Sequence, residues 1–224
     1  MEDGGREPGR RNSPDPLLIR KLVPFFASCA LYFLLWLPPD EPSWNSALTK
    51  CLPILCLALF VHDTAPSGPY GQFIWVGLLC SAIGDILLTW PNWILFGMMA
   101  YAVAHLFYLR ALGLVPMYQG LLGSVVVMFL FYFGVLQPHL PSGLSLPVFV
   151  YVTILGLMLW RAQAQGTLAA LGGLFLSISG AILAWDTFIQ SLPLGRLIIM
   201  VTYYAAQALM ALSTGRKPRL KTGQ

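Results

Sequence analysis

The chain has 224 residues, of which 57% are hydrophobic and only 10% charged, with a net charge of +4 and a mean hydropathy of +0.71. That balance excludes an ordinary soluble domain. It also argues against a nucleic-acid partner: the positive charge is concentrated in the tails beside apolar runs, where anionic lipid headgroups account for it more simply.

A helix crosses the hydrocarbon with about 20 apolar residues. Taken in chain order, the apolar runs predict eight such helices, over 22–38, 47–62, 71–90, 93–112, 117–136, 144–161, 168–189 and 194–213. The expected organisation is a cytoplasmic tail over 1–21, an all-α integral membrane domain over 22–213 and a basic cytoplasmic tail over 214–224. The first sixteen residues are polar and lack an apolar core, which argues against a cleaved signal peptide and makes the first span a signal anchor. With eight spans, Arg6, Arg10, Arg11, Arg20, Lys21, Arg110, Arg161, Arg216, Lys217, Arg219 and Lys221 share one side, against Lys50 and Arg196 on the other. The positive-inside rule then places both termini in the cytoplasm. Trp36, Trp44, Trp90, Trp93 and Trp185 gather at the opposite ends, as an interfacial belt would. Cys29, Cys51, Cys56 and Cys80 lie within apolar runs at no metal-binding spacing and read as small buried hydrophobes.

The chain can be laid on itself at an offset near 95. Ile83 then meets Ile178, Trp90 meets Trp185, Tyr108 meets Tyr203 and Ala111 meets Ala206; with small gaps Leu22-Val-Pro24 meets Leu114-Val-Pro116, and Pro53 meets Pro147. The expectation is two four-helix repeats in parallel orientation. At this offset Asp85 falls on Gly180, so a carboxylate in one half faces a glycine in the other.

Of nine acidic residues only Asp85 and Asp186 lie within apolar runs, and Asp85 is the deeper. A carboxylate in lipid costs several kcal/mol, so it turns to a protein interior and commonly does work there. Ser81 shares its helical face; Tyr101, His105 and Tyr108 form a stripe on the fourth span, and Arg196, Met200, Tyr203 and Gln207 another on the eighth, with Tyr204 beside it. Ser179 and Asp186 share a face of the seventh span, and Gly180 points about 100° away from it. Each has a bland alternative. Asp85 could be held structurally by Ser81 or a neighbouring helix, and His105 could be a satisfied core residue. Tyr203 and Tyr204 could simply pack, and Asp186 could be solvated or paired with Arg196. Arg161, ending a span, is expected to snorkel to the headgroups. Gly-x-Ser-x-Gly, His-Glu-x-x-His and phosphate-loop motifs are all absent, which speaks against a serine esterase, a zinc hydrolase or a nucleotide site of familiar type.

Seven segments in order — Leu31-Tyr-Phe-Leu-Leu-Trp36, Lys50-Cys-Leu-Pro53, Cys80-Ser-Ala-Ile-Gly-Asp85, Ala104-His-Leu-Phe-Tyr108, Leu159-Trp-Arg161, Ala184-Trp-Asp-Thr-Phe188 and Thr202-Tyr-Tyr-Ala-Ala-Gln207 — resemble the lysoplasmalogenase family of multi-span hydrolases, the YhhN-like proteins, and their mammalian B-type branch in particular. The resemblance runs through all eight spans. It implies cleavage of the vinyl ether of a lysophospholipid substrate to a fatty aldehyde and glycerophosphoethanolamine or glycerophosphocholine. The endoplasmic reticulum membrane fits an uncleaved multi-span lipid enzyme, and with three His and few carboxylates in the chain no metal or cofactor is expected. The family carries an intramembrane Ser-Asp on the seventh span; here the pair reads Ser179-Gly180, which implies weakened or absent turnover. The chemistry suits the residues: protonation of the vinyl β-carbon needs a general acid that keeps its proton near pH 7, and the resulting oxocarbenium ion is captured by a placed water. Asp85 and His105 are the catalytic candidates, with Ser81, Tyr108, Ser179, Gly180, Asp186, Tyr203, Tyr204 and Gln207 supporting. Two rivals stay open, a transporter of a small solute or protons and a lipid-binding relative without turnover; a homodimer is open too.

Overall fold

The computed structural model describes residues 16–36, 42–65, 68–115 and 119–215. It is all-α. Eight helices follow one another: α1 (Pro16–Leu35), α2 (Trp44–Thr64), α3 (Pro69–Leu87), α4 (Ile94–Leu112), α5 (Gln119–Leu136), α6 (Ser145–Gln165), α7 (Thr167–Phe188) and α8 (Gly195–Ser213). Each is long and apolar enough to cross a membrane, either alone or with the short 3-10 turns at Pro91–Trp93 and Gln137–His139. The tail residues Arg6, Arg10, Arg11, Arg216, Lys217, Arg219 and Lys221, and Pro116 of the repeat, lie outside the described residues.

The boundaries follow local chemistry, and the two largest departures from expectation are the start of α1 and the end of α6. Helix α1 starts at Pro16 rather than 22, because proline at a first helical position gives up no needed N–H. Arg20 and Lys21 therefore sit in its second turn, not in a tail. Helix α2 is capped by Ser43, whose hydroxyl accepts from the Ser46 N–H at 3.2 Å. Helix α6 runs past Arg161 through the good helix formers Ala162 to Gln165 and stops at Gly166, whose φ of 122° suits glycine.

That extension overturns the snorkelling of Arg161. Its side chain is fully buried, and it donates from Nε to the Gly113 carbonyl (2.5 Å) and from Nη2 to Val115 (3.2 Å), while Gln165 Nε2 donates to the Leu112 carbonyl. The last carbonyls of a helix have no partners within it, and a guanidinium carries five donors. Satisfying the end of α4 inside the bundle outweighs reaching for the headgroups.

Neighbours in sequence pack together: α1 on α2, α2 on α3, α3 on α4, and likewise α5 on α6, α6 on α7, α7 on α8. The two groups meet where α4 packs on α6 and α2 on α8, with α3 also reaching α8. Large apolar side chains such as Leu34, Phe131 and Leu146 point outward, as lipid permits. The polar residues turn inward, onto α3 and α8.

Candidate active site

Two glycines on α3 decide how closely α4 approaches. A Cβ on Gly84 would stand 2.8 Å from Cε2 of Tyr101, and one on Gly77 would overlap the Tyr108 ring. Gly77 and Gly84 are seven residues apart, as are Tyr101 and Tyr108, so two rings of one helix fill two gaps of the other. Gly84→Ala is expected to lower the melting temperature in detergent by the equivalent of about 1–3 kcal/mol, as overpacking does. Gly134→Ala, with open space around its Cβ, is the control; equal melting of the two variants would refute the close-packing account.

Asp85, 0% exposed, is the centre of the site. Tyr101 donates to its Oδ1 at 2.7 Å and Tyr203 to its Oδ2 at 2.8 Å. Lys50 Nζ stands 3.8 Å from Oδ1. The carboxyl thus bridges α2, α3, α4 and α8. Deeper by one turn of α3, Tyr108 donates to Gln207 Oε1 (2.7 Å), Gln207 Nε2 donates to Ser81 Oγ (3.2 Å), and Ser81 and Tyr108 are 3.4 Å apart. This second triangle closes on itself, so Ser81, Tyr108 and Gln207 brace the α3–α4–α8 contact below the carboxyl; Ser81 does not bond Asp85.

His105 is buried, its Nδ1 has no hydrogen-bond partner, and its ring centre lies 5.6 Å from that of Tyr151 on α6. No hydrogen bond joins it to Asp85; the two face one cavity instead. Ser179 donates to the Ile199 carbonyl at 2.9 Å, which ties α7 to α8. Tyr204 does not bond Asp85; it donates to the Lys50 carbonyl at 2.8 Å. Asp186 accepts from the Leu192 N–H at 2.7 Å, and Gly195 packs so closely that a Cβ there would meet its Oδ1 at 2.6 Å. It therefore organises the α7–α8 turn, in which Leu194 adopts the left-handed conformation (φ 60°). A stripe of seven-residue spacing drew Ser179 and Asp186 together on paper, but each is engaged by its own piece of backbone.

Two cavities meet here. A polar one of about 560 Å³ is lined by Asp85, His105, Lys50, Tyr203, Asp186 and Arg196 among others. An apolar one of about 510 Å³ runs between α4, α5, α6 and α7, past Met98, Phe129, Val152 and Leu155. Exposed Met128 and Leu174 also line it, so it opens to the flank of the bundle between α5 and α7. Lys50, Leu88, Tyr101, Tyr151, Gly180 and Leu183 line both. Gly180 thus stands at the junction. A Cβ on it would meet Leu155 Cδ2 at 3.4 Å and the Tyr151 hydroxyl at 3.7 Å, ordinary contacts that leave room for a side chain.

Lys50, Tyr101 and Tyr151 were not among the expected site residues. Lys50 carried a signal, a charge inside the span predicted over 47–62, and Tyr101 lay on the His105–Tyr108 stripe. Tyr151, in a run of apolar residues, carried none.

Comparison with known proteins gives a consistent answer. Residues 45–214 match the YhhN family. The chain is 49% identical to mouse (Mus musculus) lysoplasmalogenase TMEM86B over 92% of each chain, and 48% identical to the human (Homo sapiens) protein of that name over 92% of each. It is 42% identical to bovine (Bos taurus) lysoplasmalogenase TMEM86A over 86% of this chain and 88% of that one. No solved structure matches it. An interior carboxyl shared by α2, α3, α4 and α8, in a chain similar to these relatives from end to end of its membrane domain, is that of a multi-span protein belonging to the YhhN family.

Proposed function

We propose that the chain hydrolyses the vinyl ether of lysoplasmalogens, releasing a fatty aldehyde and glycerophosphoethanolamine or glycerophosphocholine, and that it does so weakly because position 180 is glycine. The observation that carries this reading is the place of Asp85: fully buried, clamped by Tyr101 and Tyr203, on the polar side of a junction with an apolar channel. The relatives' name as lysoplasmalogenases supports the same reaction.

The alkenyl chain lies in the apolar cavity, entering from the flank, and the glycerol and headgroup occupy the polar one. The vinyl ether then sits between them, beside Tyr101 and Gly180. Protonated Asp85 gives its proton to the β-carbon; for that state one of the two tyrosine hydroxyls turns and accepts instead of donating. The new carboxylate is received by the tyrosines and Lys50 while the oxocarbenium ion is captured by water. His105, whose ring faces the same cavity, and the Tyr151 hydroxyl are the groups placed to hold that water. The hemiacetal collapses to aldehyde and the sn-1 alcohol, and the proton returns to Asp85. Release of fatty aldehyde by the purified chain from 1-alkenyl-glycerophosphocholine tests the reading; solute flux in liposomes without lipid turnover would replace it with a transporter.

We infer two further properties. The helix neighbours fall into matching pairs, α1–α2 with α5–α6, α2–α3 with α6–α7, α3–α4 with α7–α8, and α2–α8 with α6–α4, which supports a duplicated four-helix unit. The polar cavity is lined by the end of α1, the start of α2 and the α7–α8 turn, all at the end of the bundle away from the termini. With the termini cytoplasmic and the protein in the endoplasmic reticulum membrane, its mouth faces the lumen. Ser191→Cys on a cysteine-free background should react with an impermeant maleimide in sealed microsomes only after permeabilisation; reaction in sealed vesicles would invert the orientation.

A further inference from the structure

Four charged side chains line the polar cavity: Lys50, Asp85, Asp186 and Arg196. Both carboxylates are turned to protein donors, Asp85 to Tyr101, Tyr203 and Lys50, and Asp186 to the Leu192 N–H. The two cations sit differently. Lys50 stands beside the carboxyl at the cavity junction. Arg196 is the second residue of α8, directly after the turn that Asp186 organises, and half-buried at the mouth. Its guanidinium carbon lies 4.5 Å from the centre of the Trp36 ring and 5.7 Å from that of Tyr32, and its Nε donates to the Tyr32 hydroxyl at 3.3 Å. The two aromatic rings and the hydrogen bond from Nε help to orient a group that in lipid-facing positions would be mobile.

We propose that Arg196, with Lys50 behind it, recognises the phosphodiester of a single-chain lipid whose tail lies in the apolar cavity, so that this cavity selects phosphate-bearing ethers over neutral glycerol ethers. The proposal rests on the reading of the site as one for lysoplasmalogen and adds the residue that sets headgroup class. Charge supports it: Lys50 and Arg196 are the basic side chains that line this cavity among the described residues, and a phosphodiester is an anion. Little water screens such a pair in a half-enclosed cavity, so the attraction is larger than at an open surface. A guanidinium also matches phosphate oxygens in geometry, which an ammonium does not. The headgroup amine, three bonds or more beyond the phosphate, reaches past Arg196 to the mouth, so choline and ethanolamine are expected to bind alike.

The test uses binding, so that it does not depend on turnover. The probes are two saturated ethers that cannot be hydrolysed by this chemistry, 1-O-hexadecyl-glycero-3-phosphocholine and 1-O-hexadecylglycerol, titrated into the full chain in one detergent. The wild-type chain should bind the phosphate ether at least about tenfold more tightly. Arg196→Gln should bring the ratio close to one, and Arg196→Lys should keep part of it. Inorganic phosphate at the same concentration should not displace the ether. Equal affinity of the wild-type chain for both ethers overturns the proposal, as does a full preference retained by Arg196→Gln. Displacement by inorganic phosphate would make this a site for the free ion instead. If Arg196→Gln does not fold, the wild-type ratio and its change in Arg196→Lys decide. A phosphate preference that Arg196→Gln abolishes, in a chain that never releases aldehyde, would reject the vinyl ether reaction while leaving the phosphate subsite standing.

Discussion

Gly180→Asp is expected to raise fatty-aldehyde release from lysoplasmalogen by about 10²–10⁴-fold, the usual worth of a positioned acid–base group. Three observations support it. Gly180 lines both the polar cavity that holds Asp85 and the apolar cavity, so a carboxyl there would face the junction. Its Cβ would make only ordinary contacts, with Leu155 at 3.4 Å and the Tyr151 hydroxyl at 3.7 Å, and that hydroxyl is a ready donor to a new carboxylate. The offset of 95 that pairs Trp90 with Trp185 also pairs position 180 with Asp85. The substitution need not harm the helix, since glycine is the poorer helix former by a few tenths of a kcal/mol or more. Formate supplied to the Gly180 chain should recover part of the rate by occupying the space of the missing carboxyl, and should do nothing for Gly180→Asp. Rates are compared at equal folded amount. Full activity in the Gly180 chain, unmoved by Gly180→Asp or formate, would mean that one carboxyl suffices.

Asp85→Asn should abolish the activity gained in the Gly180→Asp chain, again by about 10²–10⁴-fold. An amide fills the same space but has no proton to give to carbon. It also upsets the clamp: two tyrosine hydroxyls that donate to carboxylate oxygens would now face an NH₂ on one side, and Lys50 would lose its counter-charge. The variant is therefore expected to melt earlier as well. Tyr204→Phe separates the two effects, since Tyr204 bonds the Lys50 carbonyl and not Asp85; it should cost stability with little loss of rate per folded molecule. If Asp85→Asn kept the rate of its parent, Asp85 would be a structural strut and the acid would have to be sought elsewhere in the cavity.

Much of this molecule was legible before any coordinates. Eight helices and the interior position of Asp85 follow from local rules, because hydrocarbon penalises every exposed polar group and so marks spans and exceptions within single stretches of chain. What could not be read were the pairings. Tyr101 and Tyr203 reach Asp85 from 16 and 118 residues away, and the Ser81–Tyr108–Gln207 triangle closes over 99 and 126. In water an apolar stripe would tell which face of each helix turns inward, but lipid is as apolar as the bundle interior, and most of these helices are apolar all round. Their rotation is set instead by which small residues admit which rings, as Gly77 and Gly84 admit Tyr108 and Tyr101. Arg161 shows the same limit: its charge and place near a span end pointed outward, and only the carbonyls of Gly113 and Val115, just past the end of α4 and 48 and 46 residues away, turn it inward. The tertiary structure alone decides that Lys50 joins Asp85, that Asp186 builds a turn, and that polar and apolar cavities meet at position 180.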